Sequence, residues 1–411
     1  MLLSIALILL LGMLAGKLVS FVKLPPLTGM LVTGILAGPY CFNLISASVL
    51  NISSELRRIA LIIILIRAGL NLKSEDLKKA GRPAVLMCFV PASFEILGMV
   101  LIAPPVFHIT IAEALLLGSV IAAVSPAVIV PHMIKIMEQG YGQERAVPQM
   151  VLAGASCDDV FVIVLFSCFV SLVTNGSFNA VSLLRIPVSI VLGIGAGILC
   201  GYLFSKMTER FHPEGTVMTV ILLCLSFLLV SMEDSLNSTV GFSGLIGVMA
   251  MGMTCGHMIP EEASKVSSQS GELWKAAQVI LFVLVGAAVE IQYALHSFAA
   301  AALVISGVLL FRMAGVFVST LGSHYTKKER LFAMLAYTPK ATVQAAIGPL
   351  PLAMGLSCGS LILSIAVCSI LLTAPLGAFM IDLTYQKLLE KKQFSCGQRY
   401  IMNVQISESR K

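Results

Sequence analysis

Two adjacent acidic residues, Asp158 and Asp159, lie in the stretch Gly-Ala-Ser-Cys-Asp-Asp-Val-Phe, which starts at Gly154 within a largely apolar region. Successive residues of a helix point about 100° apart, so one carboxylate can face a partner while the other faces a cavity. Two carboxylates this close in a medium of low dielectric constant repel each other, and a bound proton or hard cation relieves the repulsion. The pair therefore indicates a site at which a proton competes with a cation such as Na⁺ or Li⁺.

Further ionisable side chains also fall inside apolar runs, namely Arg67, Glu95, Arg312, Lys340 and, nearer the end of a run, Glu290. A charged side chain near the centre of a membrane-spanning helix costs about 2.5–3.5 kcal/mol on insertion scales. The central residues of this set and the two aspartates comprise equal numbers of acids and bases, so that every charge can be paired. Because well-packed apolar residues often stabilise a fold as well as buried ion pairs do, these charges favour a functional role for some of the positions.

The composition indicates which elements must position these charges. Of the 411 residues, 58% are hydrophobic and 12% are charged, whereas soluble domains carry about 25% charged residues. The apolar runs are about 20 residues long, enough for a helix to cross a bilayer. They are continuous rather than alternating, which favours helices over a β-barrel. The sequence predicts an all-α polytopic membrane protein.

Thirteen spans are predicted from the apolar runs between polar breaks. They lie at about 1–22, 27–45, 56–72, 83–103, 110–137, 147–174, 182–205, 217–232, 239–257, 272–290, 294–321, 329–353 and 357–385. Alternate assignment of the loops places most of the 27 basic residues on one side and only Arg57, Arg58 and Arg185 in loops on the other. By the positive-inside rule, this predicts an outside N-terminus and a cytoplasmic C-terminus. The expected location is the cell (inner or plasma) membrane.

Two of these spans contain similar stretches with a central proline, which run from Ala123 to Pro131 and from Ala336 to Gln344. Pro126 and Pro339 each remove a backbone donor, and each follows a hydroxyl residue, Ser125 or Thr338, that can satisfy freed backbone groups. The two spans are seven apart and so enter the membrane from opposite sides. Ordinary proline kinks are the alternative, but a matched pair of broken helices beside charges favours an inverted-repeat transporter with a site near the membrane midplane.

With these features the chain resembles the cation/proton antiporter superfamily, and in particular its NHA-type sodium/proton exchangers. The resemblance rests on the aspartate pair in the sixth span, the two broken helices, and the stretches Arg67-Ala-Gly-Leu and Pro339-Lys-Ala-Thr-Val-Gln-Ala-Ala. It covers the chain up to about residue 385. It implies exchange of Na⁺ or Li⁺ for H⁺ by alternating access, in a homodimer that lies in the lipid bilayer and needs no cofactor.

The resemblance also implies a NhaA-type fold, an inverted repeat in which the two broken helices cross. Residues 1–385 would then form one transmembrane unit. Its dimerisation domain would comprise about 1–55 and 182–257, its core ion-transport domain about 56–174 and 272–385, and residues 386–411 would be a short basic cytoplasmic tail.

Within that fold, Asp159 corresponds to the aspartate that binds the cation or proton, and Asp158 to its neighbour, which also contributes to the site. Many sodium antiporters have a lysine where this chain has Arg312, and arginine does not release a proton at physiological pH. Two arrangements follow. Arg312 either takes the place of that lysine beside Asp158 or forms a structural pair with Glu95 while Lys340 pairs with Asp158, and the second is preferred.

Four residues are expected at the crossing of the broken helices, namely Ser125, Pro126, Thr338 and Pro339. The hydroxyl groups of Ser125 and Thr338 are candidate ligands of the cation or the backbone. Gln344, one turn beyond Lys340, and Ser156, just before the aspartates, are second-tier candidates.

Other classes of function fit the sequence less well. A sodium-coupled symporter of a small organic anion could use the same fold, but it would favour hydroxyl- and Asn-rich sodium sites over an adjacent acidic pair. An intramembrane aspartyl protease needs two aspartates on different helices, whereas these are consecutive. The ten cysteines show no metal-ligand spacing. The chain is therefore interpreted as a transporter, not an enzyme, and the formal charge of +6 requires no nucleic-acid partner.

Overall fold

The computed structural model describes residues 1–22, 24–71, 74–175, 180–236 and 242–391, and these ranges consist of α-helices joined by short connections. The helices are α1 Leu2–Phe21, α2 Pro26–Ala37, α3 Ala47–Leu50, α4 Ser53–Asn71, α5 Ser74–Met87, α6 Val90–Phe107, α7 Ile111–Ala122, α8 Pro126–Glu138, α9 Val147–Asn175, α10 Ala180–Phe211, α11 Gly215–Leu236, α12 Gly244–Met258, α13 Pro260–Ala287, α14 Ile291–Thr320, α15 Lys327–Ala336, α16 Thr342–Ile347, α17 Leu350–Ala353 and α18 Gly359–Leu388. The all-α fold predicted from the sequence is confirmed. Most of the predicted tail, residues 392–411, lies outside the described residues.

Eight helices of the described chain are long and apolar enough to cross a membrane, among them α1, α11, α13 and α18. Three more apolar helices are shorter than a full crossing, including the twelve-residue α2 and the fifteen-residue α12. The chain is thus an integral membrane protein, while the count of thirteen spans stays a prediction. The interrupted helices α7 and α8 are counted together among the eight, within Ile111–Met137, whereas the ten-residue α15 is too short to be counted.

Local sequence sets the ends of the helices that matter most. Both α7 and α15 begin with the same capping box, in which Thr110 pairs with Glu113 and Thr326 with Glu329. In each box the threonine oxygen accepts from the backbone of the glutamate, and the glutamate carboxylate accepts from the backbone of the threonine. The two helices that lead into the interruptions therefore start in the same way.

The helices form two groups by packing. One group is built on α12 and α13: α4 contacts both of them, α10 packs on α12, and α2 packs on α13 and α1. The other group joins α6 to α7 and α14, α9 to α5, α7 and α8, and α18 to α14 and α15. The helix α4 and the predicted span at 272–290, which the sequence assigned to the core domain, thus pack chiefly with the first group. The division into dimerisation and core domains stays a prediction.

Close backbone approach fixes the contact between α2 and α13. A Cβ atom added to Gly34 would lie 2.0 Å from the carbonyl oxygen of Val283, and one added to Gly286 would lie 2.2 Å from that of Leu31. Reciprocal glycines of this kind let two helices pack backbone to backbone. The contact requires glycine at both positions.

Candidate ion-binding site

The interruptions at Pro126 and Pro339 meet inside the second group of helices. Helix α7 ends at Ala122 and α8 begins at Pro126, whereas α15 ends at Ala336 and α16 begins at Thr342. The backbone N–H of Ser125 donates to the carbonyl oxygen of Pro339 over 2.8 Å, so each interruption supplies a partner to the other. Ser125 is fully buried and Thr338 is nearly so.

Side chains from neighbouring helices satisfy the backbone groups that the interruptions leave without helical partners. Arg312 on α14 donates from Nε to the carbonyl oxygen of Tyr337 over 2.6 Å, and from Nη1 to that of Ala122. Gln344 donates from Nε2 to the carbonyl oxygens of Ile121, at 3.1 Å, and Ala123, at 2.8 Å. Unpaired carbonyls in a membrane interior cost several kcal/mol each, so these donors permit the broken helices.

Two backbone amides at the interruptions are also satisfied by side chains. The N–H of Val124 donates to Oδ2 of Asp158 over 2.8 Å. The N–H of Lys340 donates to Oγ1 of Thr373 on α18 over 2.9 Å. Asp158 therefore carries a charge and also accepts a hydrogen bond from the backbone of the first interruption.

Four charged side chains form one fully buried network beside the crossing. Arg312 contacts Glu95 through Nη1 and Oε2 at 2.7 Å and contacts Asp158 through Nη2 and Oδ2 at 2.8 Å. Lys340 Nζ lies 2.6 Å from the same Oε2 of Glu95. All four side chains have no solvent exposure. Two cations and two carboxylates thus form a set with no formal net charge.

The structure corrects the preferred assignment of the partner of Asp158. The sequence favoured Lys340 for this role, with Glu95 and Arg312 as a separate pair. The contact between Glu95 and Arg312 is present, but Arg312 also holds Asp158, and Lys340 lies against Glu95. The physical reason is that a planar guanidinium with five donors can span two carboxylates and two carbonyls at once, whereas an ammonium is a compact charge.

The two aspartates have different surroundings, as their spacing on α9 requires. Asp158 is fully buried and held by Arg312 and Val124, whereas Asp159 has 6% of its surface exposed. The side chain of Ser156 lies outside the described residues. Thr338, just after α15, donates its hydroxyl proton to the carbonyl oxygen of Leu335 near the end of that helix, over 2.9 Å.

Several buried oxygen atoms of the network and the interruptions accept no hydrogen bond. They are Oε1 of Glu95, Oδ1 of Asp158, Oγ of Ser125, Oγ1 of Thr342 and Oε1 of Gln344. Buried polar atoms in proteins almost always have a hydrogen-bond partner. These oxygen atoms are therefore candidates to bind water or a cation. An all-oxygen set suits hard cations rather than the softer transition metals.

Two residues at the crossing were not predicted from the sequence, namely Tyr337 and Thr373. The ring of Tyr337 lies 4.8 Å from the guanidinium carbon of Arg312, and its hydroxyl donates to the carbonyl oxygen of Met87 over 3.1 Å. Its position next to Thr338 and Pro339 was a usable signal. Thr373, in contrast, is one hydroxyl residue among many on apolar helices, and no pattern in the sequence singles it out.

The chain was compared with known protein families and with curated proteins. The model of the family described as "Sodium/hydrogen exchanger, transmembrane" matches residues 5–387. The chain is 30% identical to sodium/hydrogen exchanger 9B2 of Mus musculus over 396 residues, which is 92% of this chain and 72% of that protein. It is 31% identical to sodium/hydrogen exchanger 9B1 of Homo sapiens over 399 residues, 92% of this chain and 76% of that one.

A solved structure has the same fold. The sodium proton antiporter MjNhaP1 of Methanocaldococcus jannaschii, determined at pH 8, superposes with a TM-score of 0.82 at 24% sequence identity, over 93% of this chain and 97% of that one. The resemblance to cation/proton antiporters inferred from the aspartate pair and the broken helices is therefore confirmed. The chain belongs to the family of transmembrane sodium/hydrogen exchangers.

Proposed function

We propose that this protein exchanges Na⁺, or Li⁺, for H⁺ across a membrane by alternating access, and that cation and proton compete for Asp159. Membership of the exchanger family supports the exchange of a cation for a proton. The relatives named as sodium/hydrogen exchangers support sodium as that cation. The assignment to Asp159 goes further and depends on the charges at the crossing.

The balance of buried charge carries the proposal. The set formed by Glu95, Asp158, Arg312 and Lys340 has no formal net charge, and the next residue after Asp158 on α9, Asp159, is a further buried carboxylate. An additional negative charge in a low-dielectric interior is costly unless it binds a proton or a cation. A single proton or monovalent cation bound at Asp159 would offset the charge of this carboxylate. Occupation by either species excludes the other on the same grounds, and this exclusion couples their movements.

The remaining residues have distinct roles in this proposal. Arg312 stays protonated at physiological pH, so it acts as a fixed counter-charge that positions Asp158 beside the binding carboxylate. The oxygens of Asp158 and Ser125 that accept no hydrogen bond are candidate ligands of the cation, because hard cations prefer carboxylate and hydroxyl oxygens. Lys340 neutralises Glu95.

Movement would take place between the two groups of helices. We propose that the group with the broken helices is the moving core and that the other group, in a homodimer, is the scaffold. On this view α4 and α13 belong to the scaffold, because they pack against α12 and α2. The exposed apolar side chains of α1, such as Leu10 and Leu14, would face lipid or the second subunit.

Proton flux in proteoliposomes tests the proposal. Pulses of Na⁺ and Li⁺ should drive proton efflux through the unaltered protein, and a K⁺ pulse measures selectivity. Asp159→Asn and Asp159→Cys should both abolish the response, because neither side chain exchanges a proton for a hard cation. The matched control is Asp382→Asn, an acid that is 40% exposed and pairs with Lys135 at the surface. Sodium-driven proton flux that survives in Asp159→Asn would overturn the proposal.

A further inference from the structure

A pocket of about 250 Å³ lies between α4 and α13 of the first group and α17, which packs on α18 of the second group, apart from the crossing. Its walls include Tyr40 after α2, Leu50 on α3, Ser53 and Arg57 at the start of α4, Leu284 on α13 and Leu352 on α17. The pocket is smaller than the usual site of a drug-sized ligand, so it suits a group of headgroup size. Apart from Arg57, its lining is apolar or uncharged.

Arg57 is the unusual member of this lining. Its side chain is 93% buried, with 7% exposed. Its guanidinium donates one long hydrogen bond, 3.5 Å from Nη1 to the carbonyl oxygen of Leu284, and no carboxylate of the described residues lies within 4.0 Å of it. Buried cations normally pair with acids, because desolvation of an unpaired charge is costly. A cation buried in this way at the wall of a pocket favours the binding of an anion there.

The neighbouring backbone favours an anion at the same place. Arg57 lies in the second turn of the 19-residue helix α4, and Ser53, the first residue of that helix, also lines the pocket. Backbone N–H groups of a first helical turn point outward and attract negative charge. Glu55, the acid in this first turn, is exposed and does not line the pocket.

We propose that this pocket binds the phosphodiester group of a membrane lipid with net negative charge. The phosphate oxygens would accept from Arg57, with the hydroxyl groups of Ser53 and Tyr40 within the same lining. Arginine recognises phosphate with paired donors. The apolar side chains of Leu50, Leu284 and Leu352 suit the glycerol backbone and upper acyl chains of a lipid better than a free anion.

A bound lipid would also link the two groups of helices. The pocket has walls from α3, α4 and α13 on one side and from α17, which follows the second broken helix, on the other. A ligand in contact with both walls stabilises the arrangement in which they face each other. Binding is therefore expected to appear as thermal stabilisation.

The test measures the thermal unfolding midpoint of the protein in detergent with added phosphatidylglycerol, diacylglycerol or inorganic phosphate, each in a separate sample. Phosphatidylglycerol should raise the midpoint by roughly 2 °C or more, since a ligand specific for the folded state shifts the equilibrium by mass action. Diacylglycerol lacks the phosphate and inorganic phosphate lacks the apolar part, so neither should match it. Native mass spectrometry should detect the retained phospholipid directly.

Two variants locate the effect. Arg57→Gln should abolish the stabilisation by phosphatidylglycerol, whereas Arg58→Gln, a matched loss of charge at the next residue, should retain it because Arg58 does not line the pocket. If Arg57→Gln does not fold, Ala353→Phe tests the proposal instead, because it fills the pocket from an exposed position and leaves Arg57 intact. It should also abolish the stabilisation by phosphatidylglycerol. Equal stabilisation by diacylglycerol or inorganic phosphate, or lipid retention by Ala353→Phe and Arg57→Gln, would overturn the proposal.

Discussion

At the scale of single residues, Arg312 stabilises the crossing of the two broken helices. It donates to two carboxylates, Glu95 and Asp158, and to the carbonyl oxygens of Ala122 and Tyr337. Each interruption therefore depends on one side chain from a third helix. A residue in this position combines structural support with control of the charge beside Asp159.

Arg312→Gln should destabilise the protein strongly. Removal of one partner of a buried ion pair costs about 3–5 kcal/mol, because the other charge stays buried without compensation. The thermal unfolding midpoint measures the loss. The control is Lys206→Gln, which removes a cation that is 53% exposed and paired with Glu209, and which should leave the midpoint almost unchanged. Similar small effects in both variants would contradict the central position of Arg312.

Glu95→Gln should separate stability from ion binding. Glu95 contacts Arg312 and Lys340 but makes no hydrogen bond to Asp158. Its substitution should therefore lower the thermal midpoint more than the apparent Na⁺ affinity in the flux assay. Arg312→Gln, in contrast, should change both quantities, because Arg312 also holds Asp158. A large loss of Na⁺ affinity at an unchanged midpoint in Glu95→Gln would place Glu95 in the transport site.

At the scale of elements, the broken helices depend on donors from outside themselves. The end of α7 presents carbonyl oxygens that an unbroken helix would satisfy internally, and Gln344 on α16 donates to two of them. Each broken helix thus contributes to the other, through Gln344 in one direction and through the bond from Ser125 to Pro339 in the other.

Gln344→Met tests this dependence. The substitution keeps a side chain of similar length but removes both donors, which leaves two buried carbonyls unsatisfied at a cost of about 1–3 kcal/mol. The thermal midpoint should fall accordingly. Gln386→Met is the control, since Gln386 is exposed near the end of α18. An unchanged midpoint in Gln344→Met would mean that water replaces the amide without loss.

The contact between α2 and α13 gives a second prediction at this scale. Gly34→Ala places a methyl group 2.0 Å from the carbonyl oxygen of Val283, so the helices must separate, at a cost of about 1–3 kcal/mol for overpacking. Gly195→Ala on α10 meets no atom within 4 Å and should stabilise by about 0.5–1 kcal/mol, because alanine favours helix. Shifts of the same sign in the two variants would contradict this packing argument.

At the scale of the whole molecule, the orientation in the membrane follows from the distribution of basic residues. The N-terminus is predicted outside, so the connection after α2 also faces outside, and the end of α10 faces the cytoplasm. Cys41 is an exposed thiol in the first of these regions, and Lys206 lies near the second. These two positions report on opposite sides of the membrane.

Labelling with a membrane-impermeant maleimide tests the orientation. In intact cells Cys41 should react, whereas its substitution by serine should abolish that labelling. Lys206→Cys in a background in which all ten native cysteines are replaced by serine should react only after the membrane is permeabilised. The reverse pattern would invert the predicted topology, without any bearing on the ion-binding site.

The sequence by itself determined the membrane setting, the helical class, the two broken helices and the aspartate pair, because these depend on local patterns. Apolar length requires helices, the two matched proline-bearing stretches predict interruptions, and adjacency places both aspartates on one helix. The family resemblance rested on the same local features.

Only the tertiary structure decided which charges meet. Glu95 and Arg312 are 217 residues apart, and Lys340 is 245 residues from Glu95. From the sequence, Asp158 could pair with either Arg312 or Lys340, since both are buried cations. The choice depends on where α14 and the interruption before α16 place these side chains, and on the ability of a guanidinium to donate to several acceptors at once. In that geometry Arg312 contacts Asp158, and Lys340 contacts Glu95.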